Sequence, residues 1–184
     1  PSWQAPPDSE AVNLMLDPGL AFGTGTHPTT ALCLEALDGM PLTGRRLVDY
    51  GCGSGILALA ALKLGAAEVL GVDNDPQALA ASRDNAERNQ LPEAALSAVL
   101  PGDARLAAWS GRGDVVIANI LAGPLLQLKE TLLGLLHPQG SLLLSGLLSS
   151  QAQSLRDHYL PQLELEVTGE KEDWVCLQGT RPET

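Results

Sequence analysis

Short, uniformly apolar stretches alternate along the chain with longer stretches rich in Ala and Leu. Leu47 to Tyr50 reads as a strand, Gly55 to Leu64 as a helix, and Glu68 to Val72 as a second strand ending at Asp73. Asp75 is placed to cap a helix that opens on Pro76 and runs to about Asn89, because a short polar side chain followed by proline suits a helix start. Leu96 to Leu100 is a third strand, closed by Pro101 and Gly102. Asp114 to Ile120 is a fourth, buried on both faces, since Val115, Val116, Ile117 and Ala118 do not alternate with polar residues. The pattern then predicts a helix over Pro124 to Leu136, stopped by Pro138 and Gly140, a fifth strand over Ser141 to Ser145, and a helix from Ser149 to Tyr159. Leu163 to Thr168 and Trp174 to Gln178 alternate more strongly, as strands at an antiparallel edge do. This rhythm predicts an α/β domain with a largely parallel sheet and helices on both faces. Residues 1–26 break it: Pro-rich and then Gly/Thr-rich, they read as a linker and loop leading into a domain over 27–184, whose first helix starts near Pro28.

In such sheets a ligand sits at the carboxyl ends of the strands, which is where the sharpest motif falls. The run Asp49-Tyr50-Gly51-Cys52-Gly53-Ser54-Gly55 joins the first strand to its helix. Glycines there let the chain turn tightly and let a ligand approach without a Cβ in the way. Asp73 follows Gly51 by 22 residues at the end of the next strand, where a carboxylate can accept from both hydroxyls of a ribose; Asn74 lies beside it. Gly51, Gly53, Gly55, Asp73 and Asn74 therefore form a candidate nucleoside site. Asp49 would repel the diphosphate of a dinucleotide and attract a cation, and the G-x-G-x-G spacing departs from the dinucleotide G-x-G-x-x-G. Both features favour S-adenosyl-L-methionine, with its ammonium and sulfonium, over NAD. Asp49 capping the turn is the structural alternative.

Three further positions are candidates. The run Asp17 to Thr30 is dense in Gly and Thr around Phe22, which suits a lid covering a ligand, or else a packed surface loop; His27 in it can cap the following helix or do chemistry. Asn119, at the end of the fourth strand, can orient an amine or bind the cofactor, or satisfy the turn before Pro124. Asp103 can accept from an adenine amino group or belong to the turn after Pro101-Gly102.

Composition narrows the partners. Lys and Arg number 11 against 22 Asp and Glu, a formal charge of -11 that argues against direct nucleic-acid binding and fits a small ligand or a basic protein substrate. The longest apolar run, Ile56 to Leu62, is far short of the roughly 20 residues that span a bilayer. Three cysteines without a C-x-x-C pair point to a reducing, cytoplasmic setting, and no His/Cys spacing suggests a metal. A first residue of Pro1 suggests sequence missing upstream.

Together, LDPGLAFGTGTHPTT (16–30), VDYGCGSGILALAALKLGA (48–66), VDNDPQALAASRDNAERN (72–89) and NILAGPL (119–125) resemble the bacterial PrmA family, methyltransferases of the large-subunit ribosomal protein L11. The resemblance implies a Rossmann-like methyltransferase fold with a seven-stranded, mostly parallel sheet and an antiparallel last strand. It implies S-adenosyl-L-methionine as cofactor, S-adenosyl-L-homocysteine as product, and trimethylation of lysine ε-amines and the N-terminal α-amine of L11, free or on the ribosome. The family's cofactor positions fall on Thr30, Gly51, Asp73 and Asn119, and Phe22 and His27 join Asn119 as candidate catalytic residues. The chain is expected to be monomeric and to lack the family's separate N-terminal substrate-recognition domain. Asn119-Ile120-Leu121 stands where many amide- or adenine-directed methyltransferases carry Asn-Pro-Pro. With the acidic balance, this weighs against a nucleic-acid methyltransferase. A small-molecule methyltransferase, an NAD-dependent oxidoreductase and a non-catalytic cofactor-binding module are the other readings.

Overall fold

A computed structural model gives the structure of residues 27–183. Its elements in chain order are α1 (Pro28–Asp38), β1 (Arg46–Tyr50), α2 (Ile56–Lys63), β2 (Glu68–Val72), α3 (Pro76–Arg88), β3 (Leu96–Val99), α4 (Ala104–Ala108), β4 (Gly113–Asn119), α5 (Ala122–Gln127), α6 (Lys129–Leu135), β5 (Leu136–Leu148), α7 (Ala152–Tyr159), β6 (Glu166–Lys171) and β7 (Trp174–Thr180). The strands form one sheet in the order β3-β2-β1-β4-β5-β7-β6. β3, β2, β1, β4 and β5 are parallel neighbours, and β7 runs antiparallel to both β5 and β6. The expected fold class is therefore the observed one, down to the antiparallel last strand.

Uniformly apolar strands still have two faces, because successive side chains point to opposite sides. Leu47, Val69, Val115, Ile117 and Leu143 pack with α1 and α2 on one face. Val48, Leu70, Val72, Val116, Ala118, Leu142 and Leu144 pack with Leu125, Leu132, Leu155 and Tyr159 of α5, α6 and α7 on the other. β1 is central, so its carboxyl end opens between the order's two arms, toward β2 on one side and β4 on the other. The switch point of the sheet thus lies where Asp49, the glycine loop and Asn119 emerge.

Four expectations change. The helix predicted over Pro124 to Leu136 begins at Ala122 and is two helices, α5 and α6, because Leu128 adopts φ -89°, ψ 6° and breaks the ladder. The fifth strand starts at Leu136 rather than Ser141: Leu136 pairs with Gly113 before the chain loops through Pro138 and rejoins β4 at Ser141 opposite Val115. β6 begins at Glu166 rather than Leu163, although Leu163 and Leu165 are still buried against the sheet. The short α4, capped by Asp103, replaces the plain turn expected there. No described helix is long and apolar enough to cross a membrane.

The α7 face is fastened by the Tyr159 hydroxyl, fully buried and donating to the Leu125 carbonyl at 2.7 Å. Burial pushes that phenol well above its usual range, which keeps it a donor at physiological pH. Tyr159→Phe should cost about 1–2 kcal/mol, by removing this bond and leaving the Leu125 carbonyl short of a partner. Urea unfolding should show a lowered midpoint with an unchanged slope; an unchanged midpoint would mean that the bond contributes nothing net.

Candidate functional site

The glycine loop leaves β1 through three positive-φ residues, Gly51 (φ 85°), Gly53 (54°) and Gly55 (86°). Gly55 lies so close to α3 that a Cβ there would meet the Ser82 Cα and Cβ at 3.1 Å. Backbone donors fasten the loop to β2: the Gly51 and Cys52 N–H groups donate to the Val72 carbonyl at 2.6 and 3.0 Å. From the other side, the Ser82 hydroxyl donates to the Gly53 carbonyl at 2.9 Å, and the Asn85 amide donates to the Ser54 carbonyl at 2.9 Å. Sequence reading missed Ser82 and Asn85. The available signal was two polar residues three apart on the face of α3 that also carries Ala78, Leu79 and Ala86, all of them buried. The Cys52 thiol, 3.6 Å from the Ser82 hydroxyl, is pushed up to about 12 by burial first and the Asp49 charge second, so it is a packing residue with no thiolate character.

Asp73 stands at the end of β2 as expected. One carboxylate oxygen accepts the Gly53 N–H and the other accepts the Asp75 N–H, both at 3.0 Å. A carboxylate offers about four acceptor positions, so each oxygen keeps one for a ligand while its orientation is already set. Asn74 lies exposed beside it. Asp75 caps α3 through the Gln77 N–H at 2.9 Å, as its sequence context predicts. Asp103 caps α4 through the Arg105 N–H at 2.8 Å and also holds the Arg105 guanidinium at 2.9 and 3.1 Å. Those bonds lower its pKa to about 2 and occupy three of its acceptor positions, leaving one.

Asp49 carries the unusual chemistry. It faces α1 and α2, in register between Gly71 of β2 and Ile117 of β4, and it is 1% exposed. Neither carboxylate oxygen has a hydrogen-bond partner. Burial raises its pKa to about 7; the Ala58 N–H, outside hydrogen-bonding geometry, pulls it back, and the Asp73 charge raises it. It therefore does not cap the turn, which was the structural alternative. A buried carboxylate without a partner is costly. Its charge is screened far less than in water, so it acts on the crevice above it through the field.

The other wall is built by α1 and β4. The His27 ring caps α1, its Nδ1 accepting the Thr29 N–H at 3.2 Å and lying 2.8 Å from the Thr29 hydroxyl. Its ring also meets that of Trp174 edge-on, with centroids 5.1 Å apart, and so ties the start of α1 to the start of β7. Thr30 is buried, and its hydroxyl accepts from the Asn119 amide at 3.5 Å across 89 residues of sequence. Of the residues expected to converge, Thr30, Gly51, Asp73 and Asn119 stand around the carboxyl ends of β1, β2 and β4. Phe22 and most of the Gly/Thr run lie outside the described residues. Among the described residues no group of His, Cys, Asp and Glu could hold a metal ion. The arrangement suits a ligand with a vicinal diol for Asp73 and a cationic portion within the field of Asp49.

Because its folded pKa lies above the roughly 3.9 of an unfolded aspartate, Asp49 takes up a proton more readily when folded. Its contribution favours folding at low pH and is lost as pH rises from about 4 through about 7. Asp49→Asn should remove that dependence, so that the stability of the variant relative to the natural chain climbs by on the order of 2–4 kcal/mol across the window. Urea titrations at several pH values test this; parallel profiles would mean that Asp49 titrates normally.

Comparison with known proteins agrees with this geometry. The family model described as ribosomal protein L11 methyltransferase (PrmA) matches residues 1–182. Relatives named ribosomal protein L11 methyltransferase from Vibrio cholerae serotype O1 and from Pseudomonas aeruginosa are each 56% identical over 181 residues, 98% of this chain and 60% of the relative. The chain thus spans about 60% of the length of the curated relatives it matches. A crystal structure of ribosomal protein L11 methylase from Lactobacillus delbrueckii subsp. bulgaricus superposes with a TM-score of 0.78 at 33% identity, covering 91% of this chain and 84% of that one. A methyltransferase from Pyrococcus furiosus shares the fold alone, with a TM-score of 0.70 at 17% identity over 92% and 89% of the two chains. With its motifs, its seven-stranded sheet and these relatives in agreement, the chain belongs to the ribosomal protein L11 methyltransferase (PrmA) family.

Proposed function

We propose that this chain is the methyl-transferring domain of a protein-amine methyltransferase. In this reading it binds S-adenosyl-L-methionine at the carboxyl ends of β1, β2 and β4 and methylates lysine ε-amines and the N-terminal α-amine of ribosomal protein L11. The observation that carries the reading is the buried, unpartnered carboxylate of Asp49 beneath the glycine loop. A diphosphate over it would be repelled, whereas an ammonium or sulfonium would be held and would draw the carboxylate to its ionised form. Family membership supports the same ligand and the same substrate. Cytoplasmic location, a monomeric chain and no direct contact with nucleic acid belong to the reading.

The residues divide the work. Asp73, pre-oriented by two backbone N–H groups, offers its free acceptor positions to the ribose hydroxyls. Gly51, Gly53 and Gly55 turn the loop at positive φ, Gly51 seated against Ile120 and Gly55 against Ser82 rather than against a ligand; Asn74 flanks the ribose, and Asp103 keeps one acceptor position for the adenine amino group. When bound, the cofactor supplies a sulfonium methyl group that an uncharged amine can attack, with S-adenosyl-L-homocysteine as product. Asn119, its amide nitrogen turned to Thr30, keeps its carbonyl oxygen for an N–H of the incoming amine and so aims the nitrogen lone pair. His27 shapes the entrance by fixing the start of α1. A lysine amine with a free pKa of about 10.4 must arrive uncharged; desolvation beside a cation lowers that value, and the proton leaves to water. Orientation of this kind accounts for about 7–11 kcal/mol of barrier lowering in favourable cases.

Asp73→Ala should weaken binding of S-adenosyl-L-methionine by at least about tenfold, roughly 1.4 kcal/mol, since the ribose loses its acceptor and the Gly53 N–H its anchor. Calorimetry on the folded variant checks this. Unchanged affinity would remove Asp73 from the site, and binding of NAD in place of S-adenosyl-L-methionine by the natural chain would overturn the whole reading.

A further inference from the structure

Asn119 is held only loosely by its own side chain, since its bond to Thr30, at 3.5 Å, is at the limit of hydrogen-bonding distance. Its neighbour is held far more tightly. The Ile120 N–H donates to the Ser145 carbonyl at 3.1 Å. Gly146, with φ 92°, approaches the Ile120 peptide so closely that an added Cβ would stand 2.1 Å from its carbonyl oxygen, 2.7 Å from its carbonyl carbon and 3.0 Å from its nitrogen. On the other side the Ile120 side chain covers Gly51, where an added Cβ would meet Cγ2 at 2.5 Å. Ile120 is therefore bracketed by two positive-φ glycines, one from the glycine loop and one from β5.

The β5 glycine sits in an irregularity. β5 pairs with β7 in one register through Leu144 and in another from Leu147. Asn119 stands opposite Ser145 in the β4–β5 ladder, and the Ser145 hydroxyl donates to the Val175 carbonyl at 3.1 Å, fastening this stretch to β7. The irregularity thus bears directly on the residue after Asn119, at the functional edge of the sheet, where such features re-aim side chains.

We propose that Gly146 and Ile120 are positioning residues for the reaction: Gly146 seats the Ile120 peptide, Ile120 seats against Gly51, and together they fix the Asn119 amide relative to the glycine loop. The amine site and the cofactor site then keep one separation. The proposal rests on the methyl-transfer reading given above. Any side chain at 146 must displace the Ile120 peptide, and truncation of Ile120 frees the contact with Gly51. A misplacement near 1 Å costs on the order of 100-fold in an aligned displacement.

The test compares the natural chain with Gly146→Ala, Ile120→Ala and Gly111→Ala. Gly111 also has positive φ (69°) and has open space around its Cα, but it lies in the turn before β4, at the opposite end of that strand from Asn119. In nitrogen-15 spectra, with the Asn119 side-chain resonances assigned by their loss in Asn119→Ala, that pair should shift in Gly146→Ala and Ile120→Ala and stay in place in Gly111→Ala. The first two variants should lose about 10- to 100-fold in kcat for L11, with KM and calorimetric affinity for S-adenosyl-L-homocysteine unchanged. Should Gly146→Ala fail to fold, Ile120→Ala decides. An unmoved Asn119 pair in the folded variants, or a moved pair with unchanged kcat, would overturn the proposal. A natural chain that neither binds S-adenosyl-L-homocysteine nor transfers methyl would instead refute the methyl-transfer reading, a separate outcome from the spectral one.

Discussion

Asp49 is enclosed by the sheet, the glycine loop and two helices, with both carboxylate oxygens unbonded, and the surrounding structure makes sense as the means of keeping it there. Hydrogen-bonding a buried carboxylate is the ordinary solution, and leaving it bare costs several kcal/mol. Here three backbone donors of the loop are committed elsewhere: the Gly51 and Cys52 N–H groups go to Val72, and the Gly53 N–H goes to Asp73, while the Ala58 N–H in the first turn of α2 draws on the carboxylate without reaching hydrogen-bonding geometry. The loop is thus fastened to β2 and α3 rather than to the carboxylate beneath it. What remains is a buried carboxyl group at the switch point of the sheet that, in the proposed reading, a bound cation would draw to its ionised form.

The same placement explains the division of labour between the strands. β2 delivers Asp73 with both oxygens half-occupied, which fixes its direction and leaves it able to accept more. β4 delivers Asn119, joined to α1 through Thr30. β5, one strand further out, reaches back through Gly146 to the residue after Asn119. Three parallel strands and their neighbour thereby bring together candidate residues spread from position 30 to position 146. The acidic balance of the chain is in keeping with a cationic ligand and with a basic protein as substrate.

Much of this was legible in the sequence, for physical reasons that differ from part to part. Strand–helix alternation and Pro and Gly punctuation gave the architecture, and the cap at Asp75 was found because N-caps are local chemistry. The position of Asp73 at the end of β2, bonded to the Gly53 N–H, was legible because it follows from spacing relative to the glycine loop. The break at Leu128 was not, since nothing in Pro124 to Leu136 departs from a helical pattern. The early start of β5 was hidden by Pro138, which reads as a terminator although the chain merely loops out there and rejoins its partner. Ser82, Asn85 and Gly146 act through tertiary contacts, 29, 31 and 26 residues away from Gly53, Ser54 and Ile120, and no local pattern announces such distances. His27 could be read two ways, and its observed bonds are those of a helix cap.

The direct test is to follow the Asp49 carboxyl carbon by NMR through a pH titration, with the chain alone and with saturating S-adenosyl-L-methionine. The account predicts a midpoint near 7 for the chain alone and, with the ligand bound, a carboxylate ionised down to about pH 4 or below, as for an aspartate beside a positive charge. A midpoint that stays put on addition of the ligand would contradict it, since the buried charge would then have no part in holding a cation.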